Sequence, residues 1–199
     1  MMIGVFYQKE SLNDTLIIVV NNNNVVKTDQ QLNFCATYDD KDDIVGINIF
    51  NFSKFNKDVK NGFLKPDDKL IATIKEVTNI DLSKYVGINN FKVGKVIACE
   101  DIVNTHLHKT VVDIGGEQLN IICGAKNCLI DLNVVCPTIG AILPNGSTIK
   151  QGSLLGNKSF GMLCSAKELN IKNKFNDEGI IELDDSYTIG SNFDDLYVC

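Results

Sequence analysis

The sequence predicts a two-part fold, a small α+β domain over residues 1–88 followed by an all-β barrel over residues 89–199. Three observations carry that expectation. The first 65 residues alternate short β-type runs with turns, residues 66–79 have helical spacing, and beyond residue 90 closely spaced β-runs are punctuated by glycine with little helix.

The elements follow in order. "MIGVFY", "TLIIVV" and "NFCATY" are apolar runs bounded by turn residues. In "IVGINIFNF", Ile47, Ile49 and Phe52 stand among polar or small neighbours, the period of a half-buried strand. "PDDKLIATIKEVTN" starts at Pro66 with Asp67 or Asp68 as its cap, and Leu70, Ile71, Ile74 and Val77 recur at helical spacing. At "YVGINN", residues 85–90, the pattern changes. "FKVGKVIACEDI", "KTVVDIGG", "QLNIICGA", "NVVCPTIGAIL", "STIKQGSLL" and "GIIELD" then read as strands. Gly115-Gly116 and Asn145-Gly146 mark tight hairpins. In "GMLCSAKELN" the spacing of Ser165 and Glu168 is that of a capping box, which predicts one turn of helix beside Lys167. About five strands with one small helix fit an OB-fold barrel, among other small barrels.

Composition narrows the chemistry. All 19 basic residues are lysine, so any anion site must use point charges rather than the bidentate fork of arginine. A net charge of −6 argues against a nonspecific nucleic-acid coat, but it is unevenly spread. Residues 1–88 carry 10 lysines and 12 acids, residues 89–174 carry 9 and 6, and residues 175–199 carry none and 7. A mildly basic segment therefore lies between acidic ones. Seven cysteines at irregular spacings, with no CxxC pair, read as buried reduced thiols. The two histidines, His106 and His108, would share one strand face and are too few for a zinc site. No cofactor or metal is expected. No window reaches the length of a membrane helix and the start lacks signal-peptide features, which places the protein in the cytoplasm without a membrane partner. There is no nucleophile–histidine–acid pattern, phosphate loop or synthetase signature, so no enzyme is expected. Cys164 beside Ser165 has no base near it in sequence.

The long ungapped stretch "QLNIICGAKN … GAILPNGSTIKQGSLLGNKSFGMLCSAKEL" closely resembles the tRNA-binding domain family. That domain is fused to some methionyl-tRNA synthetases, lies near the N-terminus of the phenylalanyl-tRNA synthetase β chain, and occurs in stand-alone bacterial proteins. The matching positions are Cys123-Gly124-Ala125, Asn127, Gly140-Ala141, Leu143-Pro144, Gly146, Ile149-Lys150, Leu155-Gly156, Ser159, Gly161-Met162, Cys164-Ser165 and Glu168-Leu169. The start of the chain and "GINIFNFS" resemble the N-terminal extension of the stand-alone bacterial type. Three positions depart from the family pattern: "DIVNTHL" replaces an HPxADKL-like motif, Leu155 replaces a basic residue before Gly156, and Lys126 replaces a proline.

The resemblance implies a non-catalytic tRNA-binding protein of translation, with a weakly basic OB-fold rim and, as in stand-alone members, a homodimer. The residues matched to that rim are Lys126, Asn127, Lys150, Lys158, Ser159, Ser165 and Lys167. Lysine, serine and asparagine at such positions meet phosphate and ribose oxygens and position RNA without reading its sequence. Phe160 and Met162 flank Gly161 and read as core side chains; the alternative is that one is exposed for base stacking, with Phe160 the better candidate. The alternative is a protein-interaction scaffold that has lost RNA binding, in line with the altered "DIVNTHL" stretch and the acidic end.

Overall fold

Alternation in the first runs becomes a β-hairpin. In the computed structural model, which describes residues 2–198, β1 (Gly4–Gln8) and β2 (Thr15–Val19) pair antiparallel, with Gly4 opposite Val19 and Gln8 opposite Thr15. Val5, Tyr7, Leu16 and Ile18 point inward and are buried. Adding β3 (Lys27–Gln30), β4 (Phe34–Tyr38), β5 (Ile44–Ile49) and β6 (Gly62–Phe63) makes a six-stranded antiparallel sheet ordered β3-β4-β5-β2-β1-β6. The helix α1 (Asp68–Thr78) is capped by Asp67, whose carboxylate accepts from the Leu70 N–H at 2.8 Å. It stops at Asn79, which takes a left-handed φ of 58°. Its apolar stripe, Leu70, Ile71 and Ile74, packs into the cluster that holds Ile3, Val5, Ile18 and Ile47.

The second unit spans Asn89–Leu196, while Tyr197 and Val198 belong with the first. Its main sheet runs β10 (Asn133–Pro137), β7 (Phe91–Asp101), β8 (His108–Asp113), β9 (Gln118–Cys123), all antiparallel, with a bulge in β7 between Val96 and Ala98. The Gly115-Gly116 turn joins β8 to β9. Both glycines have positive φ, and their N–H groups donate to Asp113 at 2.9 and 3.2 Å. A separate two-stranded hairpin is made by β11 (Gly152–Leu154) and β12 (Asn157–Ser159).

Two expectations of fold class are corrected. Residues 1–88 do not form an α+β domain: one eleven-residue helix accompanies six strands, and the chain is mostly β throughout. Only residues 66–79 had helical spacing, and the remaining apolar runs are short and satisfied their backbones by pairing. The second half is not a closed OB-fold barrel either, since β10 and β9 stand at opposite ends of an open four-stranded order. Residues 159–164 reach both edges by scattered bonds. The Phe160 N–H donates to the Asn120 carbonyl at 2.9 Å, and the Met162 and Cys164 N–H groups donate to Pro137 and Val135, each at 3.1 Å. No continuous ladder forms there. Pro137 ends β10 without an N–H to offer, and the chain beyond it is broken by turns at Gly140, Gly146 and Gly156, all of positive φ.

The predicted strand "GIIELD" is instead a strap. Ile181 and Leu183 donate their N–H groups to Cys164 and Asn133, and residues 190–193 exchange backbone bonds with Phe91 and Val93. Phe175, Tyr187 and Phe193 meet beside it in tilted ring contacts, and Lys174 closes an ion pair with Asp195 at 2.8 Å. Among the described residues no helix is long and apolar enough to cross a membrane.

Candidate nucleic-acid interface

The turn after β9, residues 124–127, carries the first two candidates. Lys126 projects into solvent without an ion-pair partner, whereas Asn127 is fully committed. Its amide donates to the Ile180 carbonyl at 2.9 Å and to Glu182 at 2.8 Å, and its oxygen accepts from the Ile180 N–H at 3.0 Å. Gly179 makes this approach possible, since a Cβ there would lie 2.0 Å from the Asn127 oxygen. Asn127 thus fastens the strap rather than facing a ligand. Beneath the turn lie Cys99, Cys123 and Cys128. A hydrogen bond from the Cys128 thiol holds the Cys123 thiol below its ordinary pKa against the opposing effect of burial, with help from the Ala125 N–H and from His108. The same bond and burial push the Cys128 thiol up. The six described cysteines are free thiols, and Cys199 lies outside the described residues.

The hairpin region carries three more candidates. Asn145-Gly146 forms its turn, with the Leu143 N–H donating to the Ser147 carbonyl at 2.8 Å, and Lys150 follows, exposed and unpaired. Lys158 is equally free and stands opposite Ser153 in the β11–β12 ladder, which lies along β9. Leu155 and Gly156 turn that hairpin with φ of 50° and 78°. The Ser159 hydroxyl is occupied: it accepts from the Ile122 N–H at 3.2 Å and donates to the Gly161 carbonyl at 3.1 Å.

The last pair sits in residues 165–170. The capping box forms and holds a single turn that does not extend into a helix. The Ser165 N–H and hydroxyl both donate to Glu168 at 2.8 and 2.7 Å, and the Glu168 N–H returns to the Ser165 oxygen at 3.3 Å. One turn closes from Leu169 to the Ser165 carbonyl, and then Asn170 at φ 55° ends it. Without a helix there is no macrodipole, and Glu168 consumes the donors a phosphate would need. Lys167 remains exposed and lines a shallow groove of about 260 Å³ with Lys172.

Charge separates the lysines into two groups. Lys95 pairs with Asp131, Lys174 with Asp195, and Lys92 is bonded to Asn192. Lys126, Lys150, Lys158 and Lys167 carry no ion pair among the described residues, and neither do Lys109 and Lys172. The acids of the strap are engaged elsewhere: Glu182 by Asn127, Asp184 by Ser186, Asp185 by Asn133, Asp194 by Asn89. The seven candidates occupy three local settings, and no hydrogen bond joins one candidate to another among the described residues. Sequence reasoning missed Lys109 and Lys172. For Lys109 the signal was present, since Thr110 and Val112 face inward and the alternation turns Lys109 out. The two histidines do not share a strand face. His108 opens β8 with its Nδ1 2.8 Å from Asp101, and His106 lies in the preceding turn.

A small antiparallel β scaffold fringed by unpaired ammonium groups is therefore the class that fold and site define. Residues 91–192 match the family described as "Putative tRNA binding domain", and the chain belongs to that family. It is 32% identical to the "Putative tRNA-binding protein YtpR" of Bacillus subtilis, over 94% of this chain and 98% of that protein. It is 33% identical to an uncharacterized protein of Mycoplasma genitalium, over 98% of this chain and 89% of that one. The β subunit of a phenylalanine–tRNA ligase from Aliivibrio fischeri is 44% identical over 53% of this chain, a match that spans 13% of the ligase subunit.

Proposed function

We propose that this protein binds tRNA without catalysis, through the exposed lysines of its second unit, led by phosphate contacts and shape. One observation carries the reading: Lys126, Lys150, Lys158 and Lys167 are exposed and unpaired while other cations of the unit are neutralised in place. An unpaired surface ammonium surrenders no internal contact when it meets a phosphate, which makes it the less costly one to recruit. In this reading Asn127, Ser159 and Ser165 position the turns that bear the lysines and do not touch RNA. The family membership and the resemblance to the stand-alone Bacillus protein support tRNA as the ligand. A catalytic role for Cys164 is disfavoured, because the residue is fully buried and burial pushes its thiol well above its ordinary pKa. The work of such a protein belongs to translation in the cytoplasm. Exposed Leu154 and Leu155 at the β11–β12 turn offer apolar surface for a homodimer, which sedimentation of wild type against Leu155→Ser tests.

Native gel shifts with bulk tRNA at two salt concentrations test the main reading. A shift at low salt that fades at higher salt is expected, and no shift at high micromolar protein overturns it. A second reading, a protein-interaction scaffold, is favoured by exposed Val103 in the altered "DIVNTHL" stretch together with exposed Leu129 and Ile130. It predicts no tRNA shift at any salt.

A further inference from the structure

Beside β9 lies a groove of about 480 Å³ that none of the seven matched residues lines. Its apolar walls are Phe160, half-buried against the core, and Ile139, which is 46% exposed. The bond from the Phe160 N–H to the Asn120 carbonyl fixes that ring against the strand. Because Leu119 and Ile121 face the core, the alternation of β9 turns Gln118 and Asn120 outward into the groove. Neither side-chain amide is hydrogen-bonded to another described residue, so two complete sets of donors and acceptors stand open beside an aromatic face. Glu117, Thr138 and Lys92 complete the polar edge, and the Lys92 ammonium donates to Asn192 at 2.6 Å.

From this juxtaposition we infer that the groove takes one unpaired nucleobase of the bound RNA, stacked on Phe160 and read at its edge by Gln118 and Asn120. The inference rests on the tRNA reading above and adds a second, uncharged mode of contact to it. A flat heterocycle suits the apolar walls, and its edge needs the donors and acceptors that primary amides supply. The Glu117 carboxylate accepts from an exocyclic amine, so amino-bearing bases are preferred over uracil. Lys158, two residues before Phe160 in the chain, is exposed and unpaired and meets the phosphate of the same nucleotide.

The test is tRNA binding by the Gln118→Ala/Asn120→Ala variant and wild type across a salt series, with oligo(C) and oligo(U) as competitors. Affinity for tRNA is expected to fall about tenfold in the variant with an unchanged salt slope, since no phosphate contact is lost. Oligo(C) should compete better than oligo(U) for wild type, and the two should compete equally for Glu117→Gln, whose exposed side chain has lost the carboxylate. Both side chains point outward without partners, so the thermal unfolding midpoint should stay at the wild-type value. Full affinity in the variant overturns the groove while leaving the lysine reading standing, and so does a loss that comes with a shallower slope. Failure of wild type to bind tRNA at low salt overturns both.

Discussion

Removing two of the unpaired ammonium groups should flatten the salt dependence of tRNA binding by an amount that can be worked out in advance. Lys126, Lys150, Lys158 and Lys167 provide about four phosphate contacts, and the single-strand slope of about 0.7 per contact then lowers affinity about fifty-fold between roughly 50 and 200 mM salt. In Lys150→Ala/Lys158→Ala about two contacts remain, and the same rise in salt should cost only about sevenfold. The fold should tolerate the change, because neither side chain is buried or bonded. Lys174→Ala is the matched control. Its ammonium already pairs with Asp195 at 2.8 Å, so its loss should leave the slope alone and lower stability by about 0–1 kcal/mol, the usual range for a half-exposed pair. Fluorescence anisotropy of labelled bulk tRNA over the salt series gives both slopes. An unchanged slope in the double variant, or an equal drop in the control, refutes the division of lysines into free and engaged.

Other outcomes follow from particular contacts. Asn127→Ala removes the amide that holds residues 180–182 and should lower unfolding stability by about 1–3 kcal/mol, with the salt slope of tRNA binding unchanged. Denaturant titration and anisotropy together read this out. Burial raises the Asp14 carboxyl pKa, but hydrogen bonds from Tyr7 and Ser53 outweigh it and leave the group below its ordinary value of 3.8. Its contribution is therefore present above that value and lost as pH falls through the lower folded-state value. The melting-temperature gap between wild type and Asp14→Ala should be wide at neutral pH and shrink in acid below about pH 4. Gly115→Ala would place a Cβ 2.6 Å from the Gly190 backbone at a φ of +89°, and should cost about 1–3 kcal/mol in a urea unfolding curve.

Local chemistry was legible wherever neighbours in sequence settle the matter. The alternation of "QLNIIC" set Leu119, Ile121 and Cys123 inward as β9, and Asp67 capped the one helix that Leu70, Ile71 and Ile74 had spaced out. The Gly115-Gly116 turn needed only its own conformational freedom. The capping box was half legible. Its reciprocal bonds form, but a helix needs more turns than "AKELN" supplies before Asn170 reverses the backbone. Of the candidate site, the four lysines are exposed as their polarity suggested, while Asn127, Ser159 and Ser165 had their hydrogen bonds claimed by other parts of the chain.

By itself the sequence determined most strands, the helix, the tight turns and the family, because each rests on residues a few positions apart or on an ungapped motif; it marked neither β3 nor β6, and its strand at "GIIELD" is a strap. Tertiary structure alone decided that the second sheet stays open, which lysines are neutralised, and where the acidic strap lies. Those outcomes depend on which distant groups meet, such as Asn127 with Ile180 or Lys174 with Asp195, and a hydrogen bond or ion pair between them leaves no periodicity in the chain.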